Sequence, residues 1–175
     1  MYIATGYLNL SEPRNYMRLL FLLLLMVLLT SACDNFPRDP DETLTKIKNN
    51  TLLVGYTENP PWVVKTKAEP TGLEVELIKN FAKTQGAKIS WVNDTEQDLF
   101  QKLEKRELYL VIGGFTDKNT WKTKISFTRP YVKHQKEKHV MAVLKGENAF
   151  IVALETFLHQ QTSHLNALPA SYEAN

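Results

Sequence analysis

The chain has 175 residues, which is enough for one domain with extensions and too few for a receptor with two full lobes or a large barrel enzyme. Its 21 lysine and arginine residues against 19 aspartate and glutamate residues leave a net charge of +2, so charge gives no argument for a nucleic-acid partner. With 43% hydrophobic residues the chain can build a globular core, and the single cysteine, Cys33, excludes an intramolecular disulfide and any multi-cysteine metal site.

Residues 1–33 have the plan of a bacterial secretion signal. Two arginines precede eleven consecutive apolar residues at Leu19–Leu29, and small residues stand directly before Cys33. The apolar run is shorter than the ~20 residues that span a bilayer as a helix. The residues around the cysteine resemble a lipobox, although Thr30 stands where leucine is usual. We therefore predict a signal peptide at residues 1–33 with lipidation of Cys33. The alternatives are a signal peptide without a lipid and a buried apolar helix followed by a chance cysteine.

The segment after the cysteine is polar. Residues 34–45 contain two prolines and four acidic residues with little apolar content, a composition typical of an extended tether. We place the folded domain at residues 46–160 and a C-terminal tail at residues 161–175.

Within the predicted domain, short apolar runs alternate with segments of helical periodicity. Strands are predicted at residues 51–56, 88–92 and 108–112, and helices at residues 73–85, 95–106 and 148–159. Thr95 is predicted to cap its helix, and the last helix carries an apolar stripe that should dock on the sheet. Strands joined by helices of this length indicate crossover connections, and hence an α/β fold with a mostly parallel sheet flanked by helices.

The loops that follow these strands are the predicted ligand edge. In open sheets of this kind, ligands bind beyond the carboxyl ends of the strands. Here those ends lead into residues 58–62, 93–94 and 113–116. These three loops together form the candidate site.

Four segments resemble, in order and spacing, the first lobe of the family 3 extracellular solute-binding proteins, which are polar amino-acid receptors of ABC importers. They are TLLVGYTENPPW at 51–62, EPTGLEVEL at 69–77, LVIGGFT at 110–116 and FTRPY at 127–131. The resemblance implies a fold of two α/β lobes that close around a small polar solute and work with ABC permease subunits, without a cofactor and without enzymatic activity. The four segments cover the first lobe only, so we expect a single lobe of the periplasmic-binding-protein type II kind. It also implies a periplasmic or other extracytoplasmic location, where a lipid on Cys33 would hold the protein to a bacterial membrane.

The sequence departs from this family at the ligand anchor. In amino-acid-binding members, the threonine after the Gly-Gly strand is followed five residues later by an arginine that grips the ligand carboxylate with two hydrogen bonds. Here Thr116 is followed at that spacing by Trp121, and the position of a second ligand hydroxyl is Lys118. A lysine can attract an anion as a point charge but does not reproduce the planar grip. The departure argues against a tightly held α-amino acid.

The second departure is length. In the family, a second lobe follows the tyrosine that corresponds to Tyr131, but here the chain continues directly into residues 145–158, which resemble the returning strand and closing helix. A single lobe covers only part of a small ligand, so we expect binding of free amino acids no tighter than about millimolar. A dimer or another protein would have to supply the second wall.

Seven residues are candidate ligand contacts: Glu58, Trp62, Gly113, Gly114, Thr116, Lys118 and Trp121. The tryptophan after two prolines offers a flat wall for stacking, the glutamate a carboxylate for an ammonium group, and the threonine a hydroxyl. The glycines allow a solute to approach the backbone. The alternatives are a packed tryptophan and an ordinary exposed glutamate. Glu74 is expected mainly to interact with the dipole of its helix.

The sequence predicts no metal site and no catalytic group. Its four histidines lack ligand spacing, and no phosphate loop or nucleophile motif is present. Our first hypothesis is a lipid-anchored solute-binding protein of an ABC-type uptake system. The alternatives are an interaction or regulatory module built on the same lobe, and a dehydratase-like catalytic offshoot.

Overall fold

In a computed structural model of the chain, the structure describes residues 13–30 and 39–166. The chain divides into two compact units, residues 1–36 and 37–175. In the first unit, helix α1 (Pro13–Thr30) covers the predicted apolar run. None of the helices in the described part of the chain combines the length and the apolar character that a membrane crossing needs. The predicted lipidation site, Cys33, lies outside the described residues.

The second unit is an α/β lobe whose main elements lie where the sequence predicts them. The strands are β1 (Thr51–Tyr56), β2 (Lys88–Asn93), β3 (Leu110–Ile112), β4 (Ser126–Phe127), β5 (Val132–His134), β6 (Glu137–His139) and β7 (Ala142–Val143). The helices are α2 (Thr43–Ile47), α3 (Leu73–Thr84), α4 (Glu96–Glu104) and α5 (Asn148–Asn166), with a 3-10 helix at Thr120–Thr123.

Five strands form one sheet in the order β2-β1-β3-β7-β4. Strand β1 pairs in parallel with β2 and with β3, and Val54 at its centre lies beside Trp91 and Leu110. Strand β7 runs antiparallel to both of its neighbours, so the other four strands share one direction. The predicted α/β class with a mostly parallel sheet is confirmed. Strands β5 and β6 form a separate antiparallel hairpin.

The sheet separates two apolar cores. Leu110 and Ile112 of β3 belong to the core that also contains the buried faces of α3 and α5, whereas Val111 between them belongs to the core that contains α4. This division follows from the alternation of side chains along a strand. The last helix docks as predicted, with Phe150 and Leu154 fully buried, and it continues past residue 159 to Asn166.

Thr95 caps α4 as predicted. Its Oγ1 accepts a hydrogen bond of 3.2 Å from the backbone N–H of Asp98, which satisfies one of the unpaired amides at the start of the helix. The helix therefore starts at the residue that the sequence signal marks.

The segment predicted as an extended tether is folded from Asp39 onward. The buried carboxylate of Glu147 accepts hydrogen bonds from the backbone N–H groups of Asp41 (2.9 Å) and Thr43 (2.8 Å), and so caps α2. In return, Asp39 accepts a hydrogen bond of 2.6 Å from the backbone N–H of Ala149 at the start of α5. Arg106 forms an ion pair with Asp41. Polar composition alone does not reveal this arrangement, because Asp39 and Asp41 bond to Ala149 and Arg106, which are distant in the sequence.

Candidate functional site

The loops after β1 and β3 meet at the carboxyl edge of the sheet, as the parallel topology requires. The backbone N–H of Thr57 donates to the carbonyl of Ile112 at 3.1 Å, and the side-chain amide of Asn59 donates to the carbonyl of Gly113 at 2.8 Å. The predicted loops at residues 58–62 and 113–116 are therefore in direct contact.

The third predicted loop, after β2, is tied to its own surroundings. Asn93 donates through its side chain to the carbonyl of Tyr56 at 3.1 Å. Asp94 pairs with Lys102 of α4 at 2.5 Å, and this hydrogen bond holds the pKa of the Asp94 carboxyl below its usual range. These contacts attach the loop to the end of β1 and to α4.

The hairpin β5–β6 lies against the loop that follows β3. The backbone N–H of Val140 donates to the carbonyl of Phe115 at 2.9 Å, and the N–H of Asp117 donates to the carbonyl of Lys138 at 2.9 Å. Thr116, which is half-buried, forms a bridge with His139. The hairpin and the residue after it thus bond along the loop at residues 115–117.

Both N–H groups of the Gly-Gly pair bind one buried carboxylate. Oε2 of Glu74 accepts hydrogen bonds from Gly113 (2.8 Å) and Gly114 (2.9 Å), and Oε1 accepts one from the Tyr131 hydroxyl (2.6 Å). Burial raises the pKa of the Glu74 carboxyl, and the three donors oppose that rise. The pKa of Tyr131 is raised by burial and by the neighbouring carboxylate.

The carbonyl groups of the same two glycines are also engaged. Gly113 accepts from Asn59, and the carbonyl oxygen of Gly114 lies 3.2 Å from Nδ1 of His139. Gly114 has φ +65°, and a side chain there would collide with the Trp62 indole. The glycines let this loop pack closely within the lobe. Their predicted role in solute contact stays a prediction.

Trp62 lies at the predicted edge, but the described hairpin covers it. Its indole stacks on the His139 imidazole with ring centres 3.8 Å apart and an interplanar angle of 29°. The rings of Tyr131 and His134 meet it edge-on at 6.4 and 5.8 Å. Only 8% of Trp62 is exposed, so the flat wall predicted for a ligand is occupied by a side chain of the same lobe.

Burial lowers the pKa of His139, because the charged imidazolium loses its hydration. The carbonyl of Gly114 and the charge of Glu137 act in the opposite direction, and His134 adds to the lowering. With its Nδ1 directed at a carbonyl oxygen, the neutral ring donates through Nδ1–H.

Lys118 and Glu58 lie on the surface. Lys118 forms an ion pair of 2.8 Å with Glu137, and this hydrogen bond raises the pKa of the lysine and lowers that of the glutamate. Its ammonium group therefore already has an anionic partner. Glu58 is exposed and accepts a long hydrogen bond of 3.4 Å from the backbone N–H of Lys65.

Trp121 packs away from Trp62. Trp121 is the second residue of the 3-10 helix, and its backbone N–H donates to the side-chain oxygen of Asn119. Its ring centre lies 5.6 Å from that of Phe100. Phe100 belongs to the core on the α4 side of the sheet, whereas Trp62 belongs to the opposite core. The structure therefore does not bring these two candidate residues together.

Two important residues of this edge, Glu74 and His139, were not among the predicted contacts. Glu74 had a usable signal, since its spacing to Ile78 and Phe81 places it on the buried stripe of α3, where an acidic residue requires hydrogen-bond donors. His139 had none, because its partner Trp62 is distant in the chain. Among the described residues, no group of three or more metal-binding side chains is present.

The sequence is similar to a known protein family and to a curated protein. The model of the bacterial extracellular solute-binding proteins, family 3, matches residues 52–172. A probable histidine-binding protein of Campylobacter jejuni is 26% identical over 112 residues, which are 63% of this chain and 44% of that protein. The chain thus spans less than half the length of this curated relative.

Solved structures share the fold of the lobe. The arginine-bound form of domain 1 from TmArgBP is 25% identical, with a TM-score of 0.59 over 69% of this chain and 98% of that one. An ancestral amino-acid-binding protein, AncCDT-1, described as a precursor of cyclohexadienyl dehydratase, has a TM-score of 0.62 at 17% identity and covers 75% of this chain and 96% of that one.

Proposed function

Because the chain belongs to the bacterial extracellular solute-binding proteins of family 3, we propose that it is the solute-binding component of an ABC-type uptake system, anchored outside the cytoplasm by a lipid on Cys33. The observation that carries this proposal is the family match over residues 52–172 together with an α/β lobe whose sheet has the strand order β2-β1-β3-β7-β4. ABC permease subunits are the partners that this role requires.

The solute is a small polar molecule of the amino-acid class. The named specificities of two similar proteins, histidine and arginine, support testing these two amino acids first. Binding by this lobe is weak, because Trp121 stands at the arginine position of the family and Lys118 is paired with Glu137. The missing charge-assisted hydrogen bonds are each worth about 1.5–3 kcal/mol, and each 1.4 kcal/mol is tenfold in affinity.

Isothermal titration with L-arginine and L-histidine tests the site. We expect the wild type to bind no tighter than about millimolar. Because the Trp121 ring packs on Phe100, Trp121→Arg tests whether position 121 reaches the solute: binding at least about tenfold tighter than that of the wild type would mean that the guanidinium grips the α-carboxylate, and unchanged binding would mean that the side chain stays on the Phe100 side. Trp121→Ala is the matched control, since it removes the indole without adding a charge. Micromolar binding by the monomeric wild type would contradict the weak-binding proposal. Binding only by a dimer would support a second copy as the opposing wall.

Lipidation at Cys33 has its own experiment. Bacteria expressing the full chain should retain the protein in the membrane fraction, and Cys33→Ala should release it. Mass spectrometry of the wild type should find an acylated cysteine at the mature N-terminus. A soluble wild-type protein without an acyl chain would contradict the lipid anchor. The solute-binding role would then belong to a free extracytoplasmic protein.

One observation favours a second candidate, an interaction or regulatory module. The Trp62 ring is covered by His139, and the polar groups of Gly113 and Gly114 are bonded within the lobe. A thermal-shift screen with amino acids separates the two roles, because a solute receptor gains stability on binding and an interaction module does not. The similar proteins named above are binding proteins, and we propose no enzymatic activity; turnover of prephenate or arogenate would contradict this and favour the dehydratase alternative.

A further inference from the structure

Glu74 is an acidic side chain in the interior of the lobe with no exposed surface. Its two oxygens receive three hydrogen bonds from two distant segments of the chain, at Gly113, Gly114 and Tyr131. All three donors are neutral groups. Burying a carboxylate costs free energy unless hydrogen-bond donors satisfy its oxygens, and here three donors surround the Glu74 carboxylate.

The same contacts connect Glu74 to the aromatic pair at the ligand edge by two routes. Gly114, held through its N–H, presents its carbonyl to Nδ1 of His139 at 3.2 Å. Tyr131, held through its hydroxyl, donates its backbone N–H to the carbonyl of His139 at 3.0 Å. His139 in turn stacks on Trp62. The Glu74 carboxylate thus bonds to both Gly114 and Tyr131, the two residues that hydrogen-bond to His139.

We propose that Glu74 is the positioning residue of the ligand edge: its carboxylate holds the Gly113–Gly114 loop and Tyr131 in place and thereby sets the position of His139 over Trp62. The importance of this for solute capture rests on the proposed function. The positioning itself depends on the hydrogen bonds alone.

The chemistry of substitutes separates positioning from simple filling of space. Glu74→Gln can accept both glycine N–H groups through its amide oxygen and can donate its amide N–H to the Tyr131 oxygen, so it should preserve the loop. Glu74→Leu fills a similar volume but leaves two backbone N–H groups and a hydroxyl without their acceptor. Glu76→Leu is the matched control, because Glu76 lies on the exposed side of the same helix.

Amide NMR of the full chain in detergent, with labelled glycine, reports directly on the loop. We expect hydrogen exchange at Gly113 and Gly114 to rise at least a hundredfold in Glu74→Leu, to stay within about tenfold in Glu74→Gln, and to be unchanged in Glu76→Leu. The wild-type shifts of these two amides should follow a protonation that Glu74→Gln abolishes. If Glu74→Leu does not fold, the titration of the glycine amides in the wild type and its loss in Glu74→Gln decide the matter.

Unchanged exchange and shifts in Glu74→Leu would overturn the proposal, and so would glycine amides that titrate identically in wild type and Glu74→Gln. The solute arm uses L-arginine as the probe. If the wild type binds it, Glu74→Leu should weaken binding at least tenfold while Glu76→Leu leaves it unchanged. If the wild type binds no amino acid, the proposed function fails while the glycine amides still test Glu74.

Discussion

The imidazole of His139 lies between the Trp62 indole and the carbonyl oxygen of Gly114, with 5% of the residue exposed. Because burial lowers its pKa below the ordinary value of 6.5, the folded lobe binds a proton here less readily than the unfolded chain does. The contribution of His139 to stability is therefore present above pH 6.5 and is lost as pH falls through the lowered pKa.

His139→Phe should remove this pH dependence. The phenyl ring keeps the stack on Trp62 but neither titrates nor donates to Gly114, so we expect a loss of about 1 kcal/mol at pH 7.5 and a flatter decline of stability toward acid pH than in the wild type. Urea unfolding at a series of pH values measures both effects, and the difference between the two proteins cancels the titration of Glu74.

His159→Gln is the control for that experiment, since this histidine is exposed on α5. It should follow the wild-type pH profile. A His139→Phe profile parallel to that of the wild type between pH 7.5 and 5 would show that protonation of His139 does not couple to folding.

The candidate site illustrates what residue patterns can and cannot predict. Trp62 and Gly113 lie at the same sheet edge because parallel strands bring their carboxyl ends together, and topology followed from the apolar runs. The cover supplied by His139 depends on a hairpin folding back over a loop far away in the sequence, and no local pattern encodes that contact. Trp121 could be aligned with a ligand position, but its packing on Phe100 depends on the rotation of a short 3-10 helix.

Helix α5 closes the lobe by covering one face of the sheet. Leu154 lies at the centre of its buried stripe and is fully inaccessible, whereas Val152 on the same helix is 57% exposed. Leu154→Ala should therefore lower the free energy of unfolding by about 2–5 kcal/mol, through lost burial and a residual cavity.

Val152→Ala is the matched control for that substitution and should change stability by less than about 0.5 kcal/mol. Urea denaturation monitored by circular dichroism measures the free energy of unfolding of both variants. Equal effects of the two substitutions would mean that α5 does not dock through this stripe.

Elements with a strong periodic signal were predictable, and those that depend on pairing were not. The apolar run at 51–56 and the stripe of α3 each identify their element without reference to the rest of the chain. Strands β4 and β7 have two residues each, so only pairing with neighbours makes them strands. Helix α2 lies in an acidic, proline-containing stretch, and its cap comes from Glu147, about a hundred residues later.

For the molecule as a whole, Glu147 joins the beginning of the lobe to its last helix. Its carboxylate accepts the N–H groups of Asp41 and Thr43 and lies 3.9 Å from Arg106. Glu147→Ala should cost about 2–4 kcal/mol, because it leaves two amide donors without an acceptor at a largely buried position. Limited proteolysis should then cut near residues 39–45 before the rest of the lobe.

Glu104→Ala provides the comparison, since Glu104 forms an exposed ion pair of 3.5 Å with Lys124. Such surface pairs contribute about 0–1 kcal/mol, so this variant should unfold and digest like the wild type. Early cleavage in both variants, or in neither, would contradict the joining role of Glu147.

The reciprocal capping of α2 and α5 also has a consequence for the order of folding. Its hydrogen bonds link residues 104 to 110 positions apart, so they cannot form until almost the whole chain has left the ribosome. Closing so long a loop is entropically costly and slow, and domains are synthesised at about 5–20 residues per second. The nascent chain therefore forms the contacts that join α2 to α5 only after α5 has been synthesised, whereas the parallel pairing of β1 with β2 and β3 needs no residue beyond Ile112.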